Sequence, residues 1–156
     1  MILRSFSDQH VLSRIQQLTR RERSITLLVL LHLNEVERRR LHLKLGYSSM
    51  FDYCTSGLGY SASAASRRIR TARCVALYPE IQGLLQSNAV NISTVAQVSK
   101  VLTSENKDAI LSRIRGKSQR EVEAVVAAFE PLDVAPRDRV RTVVVRMPAP
   151  VASVAE

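Results

Sequence analysis

The chain has 156 residues, with 23 basic against 14 acidic side chains, a net charge of +9 and a pI near 10.4. That length suits one core-bearing domain with a tail and is short for an enzyme built of separate lobes. The charge balance favours nucleic acid or an anionic surface as partner over acidic small molecules.

The first 23 residues are Arg-rich and poor in acids, as an organelle transit segment would be, but Ser7-Asp8 followed by helical periodicity reads instead as a helix start. A first helix is expected from Ser7 to about Arg21, with Val11, Leu12, Ile15 and Leu18 on one face and Ser7 or Asp8 as its cap. The basic run "RRER" is taken as its end. A second helix is expected from Ser24 to about Leu45, apolar nearly all round at first and charged at "NEVERRR", and stopped by Gly46. Its apolar run, Ile25 to Leu33, is too short for a membrane span, which needs roughly 20 residues. It also lies too far from the start to be a signal peptide.

"SSMFDYCTSG" reads as a short helix capped by Ser48 or Ser49, with Phe51 and Cys54 facing inward, followed by a tight turn at Gly57 and Gly59. The next helix is expected from Ser61 to about Leu77. At 100° per residue, Ala62, Ala65, Ile69, Ala72 and Ala76 share one side, Ser63, Arg67, Arg70 and Thr71 the other, and Arg68 and Arg73 the flanks. Four shorter helices follow: Pro79 to Ser87, Ile92 to Leu102 capped by Asn91, Ser104 to Arg115 capped by Thr103 and closed by Gly116, and Gln119 to Phe129. Ser118 and Glu121 form a capping-box pattern at the start of the last. The expected fold is therefore all-α, a multi-helix domain over 7–131 containing a helix-turn-helix. A Pro-rich tail follows over 132–156. The tail holds "RVRTVVVRM", 139–147, a strand-like run that needs a partner or a second copy to pair with; disorder is the alternative.

Catalysis finds no candidate residues. The histidines, His10, His32 and His42, all fall in the two leading helices, and His32 and His42 would lie about 15 Å apart along one helix axis. No metal site and no cofactor is expected. Cys54 and Cys74 lack CxxC spacing, so a reducing cytoplasmic setting with free thiols is the expectation. No metal-protease, hydrolase or nucleotide-loop motif occurs; "GLGYSA" lacks the third glycine of a dinucleotide loop.

The informative stretch is "GLGYSASAASRRIRTAR", Gly57 to Arg73. It has four arginines in its last seven residues, and 27 consecutive positions, Tyr53 to Pro79, contain no acid. A solvated helix ordinarily mixes both signs for i,i+4 support, so this pattern points to a polyanion. A glycine turn that sets a second helix at a steep angle is the device by which a helix-turn-helix offers outward side chains to the DNA major groove. Ser63, Ser66, Arg67, Arg68, Arg70, Thr71 and Arg73 are the candidate contacts with double-stranded DNA: Ser63 and Ser66 for phosphates or bases, Arg67 and Arg70 for guanine edges or phosphate, and Arg68 and Arg73 beside the backbone. The rival reading is a protein-interaction or dimerisation module whose basic face meets an acidic protein.

Three blocks, "GYSSMFDYC", "ASAASRRIRTAR" and "VLTSENKDAILSRIRGKSQREVE", within about Glu35 to Pro131, resemble the helical N-terminal region of a bacterial family of HNH endonuclease-type proteins. The helix-turn-helix portion is also similar to partition-type DNA-binding regulators. The first resemblance implies a Pro-rich linker after the helical region and then a metal-dependent HNH nuclease module. This sequence ends at "MPAPVASVAE", within what would be the linker. The resemblance thus implies a chain without the nuclease module, either a DNA-binding module in its own right or an inactive fragment of such an endonuclease.

Overall fold

The computed structural model describes residues 3–129, and every regular element among them is helical. Eight α-helices follow a single 3-10 turn at Leu3–Ser5: α1 (Asp8–Arg38), α2 (Leu41–Lys44), α3 (Met50–Asp52), α4 (Ala62–Leu77), α5 (Glu80–Gln86), α6 (Ile92–Val98), α7 (Lys107–Arg113) and α8 (Gln119–Phe129). The expected tail over 132–156, with its strand-like run, lies outside the described residues.

The two leading helices expected from the sequence are one. α1 runs unbroken through "RRER", because arginine and glutamate are good helix formers and neither glycine nor proline interrupts them. Ser24, expected to open a second helix, sends its hydroxyl back to the Arg20 carbonyl at 3.2 Å, and so sits inside the ladder. The true break comes later: Arg40 adopts a left-handed conformation (φ 54°), and the chain re-enters a single turn, α2, before Gly46 (φ +86°). Ser7 caps α1 by accepting from the His10 backbone N–H.

Only the C-terminal half of α1 enters the body. Its buried residues are Leu27, Leu30 and Leu33, whereas Val11, Leu12, Ile15 and Leu18 stand exposed. α4 is the central element, packed against α1, α6, α3 and α5. Around it close Ile81 and Leu85 from α5, Val95 and Val98 from α6, Ile110 from α7 and Val122 from α8. Burial of this apolar set is what offsets the ordering entropy of a chain whose helices from α5 onward are mostly too short to persist alone.

Local signals behave as expected at several joints. Asn91 Oδ1 accepts from Thr94 N–H at 2.9 Å to cap α6, and Thr103 and Asn106 cap each other's backbone N–H ahead of α7. At α8, Glu121 accepts from the Ser118 N–H (2.9 Å) while the Ser118 hydroxyl accepts from the Glu121 N–H (3.4 Å). α7 begins at Lys107, three residues later than the sequence suggests, because 104–106 form turns.

Candidate nucleic-acid interface

Ser49 caps α3 by accepting from the Asp52 N–H at 3.0 Å, and the helix then widens into one π-turn, Tyr53–Gly57. Gly57 lets the Tyr47 ring close over the turn: a Cβ there would lie 2.8 Å from the Tyr47 hydroxyl and displace that ring, which meets Tyr53 edge-on. Gly59 (φ +73°) reverses the chain, and Ser61 caps α4 through the Ala64 N–H. Met50 and Cys54 are the inward residues of this segment. Phe51, expected inside, is 44% exposed, because successive residues of a single short turn cannot all face α4.

The inner face of α4 is also rotated from the sequence expectation. Ala65, Ile69 and Ala72 are buried, but so are Thr71, Cys74 and Val75, while Ala62 and Ala76 are exposed. α1 and α6 grip α4 from different sides, so its buried arc is wider than an amphipathic projection implies. Thr71 is the clear correction among the candidate contacts. It is fully buried, its hydroxyl donates to the Ile92 carbonyl at 3.0 Å, and it stitches α4 to the start of α6, out of reach of any nucleic acid.

The other six candidates divide by what holds them. Ser63, Arg67 and Arg70 are exposed and Ser66 is half-buried, all on the side of α4 turned away from the core. Among the described residues no carboxylate pairs with Arg67 or Arg70. Arg68 folds back over the Tyr60 ring, 4.3 Å from its centroid, with Nη1 donating to the Ala64 carbonyl, and together with Arg23 it lines a cavity of about 310 Å³ beside α1. Arg73 forks onto Glu37 of α1: Nε lies 3.1 and 3.0 Å from the two carboxylate oxygens and Nη2 2.5 Å from Oε1. That hydrogen bond holds the Arg73 guanidinium above its already high range.

The acid-free stretch is therefore not acid-free in space. Glu37 reaches Arg73 across the α1–α4 packing, a pairing that no local pattern could disclose. The structure adds neighbours that sequence reasoning missed: Ser49 and Phe51 wall a shallow groove with Ser66, Arg70 and Arg73. What remains toward solvent is a pair of unpaired guanidinium forks one turn apart, flanked by two hydroxyls, suited to planar acceptors or phosphate oxygens.

The histidines stand apart in different surroundings. His10 stacks on Phe6 (4.7 Å), the His32 ring lies 2.7 Å from the Leu28 carbonyl oxygen, and His42 is buried. Among the described residues no three of His, Cys, Asp or Glu come together as a metal site, and no helix is long and apolar enough to cross a membrane. Comparison with known proteins returns no matching family model, no matching curated protein and no matching solved structure.

Proposed function

We propose that this chain binds double-stranded DNA through the outward face of α4, with Arg67 and Arg70 as the principal contacts, Ser63 and Ser66 beside them, and α3, the glycine turn and α4 acting as a helix-turn-helix. The observation that carries the reading is the pair of exposed arginines left without carboxylates while their neighbours Arg68 and Arg73 are both engaged. Carboxylate partners would be easy to supply on a solvated helix, and their omission leaves two charges available to an external anion. The resemblance to the helical region of HNH endonuclease-type proteins accords with this role.

The test is duplex binding followed across salt concentration for the parent chain and for Arg67→Ala, Arg70→Ala and the double variant. Loss of one phosphate contact lowers the log–log salt slope by about 1, and loss of a base contact costs roughly 1–3 kcal/mol and relaxes specificity. The fold is expected to persist, because both side chains are exposed. Binding that is unchanged in the double variant at every salt concentration transfers the basic face to the rival reading, contact with an acidic protein, which unrelated duplex DNA would not compete away.

A further inference from the structure

The N-terminal half of α1 presents an apolar stripe that nothing among the described residues covers. Val11, Ile15, Leu18 and Ile25 are all exposed, Ile25 at 60%, and Leu12 and Leu28 flank them at 58% and 53%. Extending the alternating spacing of four and three residues along the helix gives Val11, Ile15, Leu18, Glu22, Ile25, Val29, His32 and Val36. That is a heptad seam, the pattern by which one helix packs along another. Its second half opens into an apolar groove of about 390 Å³ walled by Ile25, Leu28, Val29 and, from outside α1, Leu58 and Tyr60. A helical stretch of this length standing off the body is marginal in water unless its apolar face is packed.

We infer that the occupant of this stripe is a second copy of the chain, its α1 lying antiparallel across the first with the two-fold axis near Arg20. Self-complementarity carries the choice. In that register, Val11 and Ile15 of each copy meet Val29 and Ile25 of the other, so the exposed apolar half of one helix fills the groove on the other and the exchange is reciprocal. The charges decide the direction. Glu22 is the one charged residue between Val11 and Ile25 on the seam, and a parallel pair would place it against its own copy in the apolar interface. The antiparallel pair sets it instead beside Leu18 and Arg21 of the second copy, whose guanidinium supplies the counter-charge. Asp8 then falls opposite His32. From Asp8 to His32 the seam is about 36 Å long, ample for a stable helix pair. The inference stands independently of the DNA reading.

The test is sedimentation and light scattering of the full chain, with Leu18→Glu as the disrupting variant and circular dichroism as the check on folding. The parent is expected to be a dimer, and Leu18→Glu a monomer of unchanged helicity, since Leu18 makes no core contact within its own chain. Orientation is read by mixing Leu12→Cys and Leu28→Cys chains under mild oxidation. Crosslinks between the two variants are expected to exceed those within each, whereas a parallel pair gives the reverse. A monomeric parent at about 100 μM, a dimer indifferent to Leu18→Glu, or self-crosslinks predominating overturns the proposal. The first of these leaves the stripe to another segment or another protein, and the second assigns the dimer to a different surface, such as residues 139–147.

Discussion

Arg73 and Glu37, 36 positions apart in the chain, are joined by three hydrogen bonds that tie one flank of α4 to the end of α1. The pair is partly exposed, at 55% for the arginine and 30% for the glutamate side chain, so its contribution to stability is expected to stay within about 1 kcal/mol. Glu37→Gln weakens that hold and frees most of the guanidinium. If α4 meets DNA as proposed, this variant binds duplex more tightly and its log–log salt slope steepens by up to about 1, as one more phosphate contact becomes available. Weaker binding by Glu37→Gln, with the fold intact, would show that the ion pair aims Arg73 instead of sequestering it.

Thr71 separates a packing role from the proposed binding role on the same helix. Thr71→Val keeps the shape but removes the hydroxyl that bonds the Ile92 carbonyl, and is expected to lower stability by about 1 kcal/mol in thermal or denaturant unfolding. Duplex affinity, measured well below the melting temperature, is expected to stay at the parent value. A selective loss of binding without loss of stability would return Thr71 to the contact surface.

The thiols give a test of the core. Cys54 and Cys74 are free and buried, burial pushes both thiols up, and Cys74 rises to about 11. At pH 8 only about one Cys74 in a thousand would then be thiolate even if reagent could reach it. Native labelling is expected to be slow at both sites and to become fast on adding denaturant. Rapid native modification of either would mean that the α3–α4 or α4–α5 packing opens readily.

The start of α8 should respond to acid. Bonds from Lys117 and from the Ser118 backbone and hydroxyl hold the Glu121 carboxyl at about 2, below its ordinary 4.5. A carboxylate whose value is lower in the folded chain adds stability that is fully present above about 4.5, shrinks as the pH falls and is lost on passing through about 2. Because Glu121 is exposed, salt weakens the effect. Comparing Glu121→Gln with the parent across this range, the difference in melting temperature is expected to shrink to a small remnant at the acid end. A gap as wide at pH 2 as at neutral pH would assign the difference to something other than the ionised cap.

Gly59 sets where α4 begins. Its backbone angle of +73° is left-handed and a Cβ there meets nothing within 4 Å, so Gly59→Ala carries a conformational penalty without a clash. A loss of about 1–2 kcal/mol is expected in unfolding experiments. No loss would indicate that the turn relaxes to a different entry into α4.

By itself the sequence determined the helical class and most of its punctuation. Ser49, Ser61, Asn91 and the Ser118–Glu121 box each act through backbone groups within four residues, and such local chemistry is complete in the sequence. Tertiary structure decided what no local pattern contains. It fused the first two expected helices, since a basic run without glycine or proline leaves the backbone free to continue and only packing settles where α1 stops being buried. It drew Thr71 into the core because α6 closes on that side of α4. It also sorted four arginines of like appearance: Arg68 onto Tyr60, Arg73 onto a glutamate from another helix, and Arg67 and Arg70 left toward solvent. An amphipathic projection assumes one buried side and one wet side, and α4, gripped by two partners, has too wide a buried arc for that rule to place its flanks.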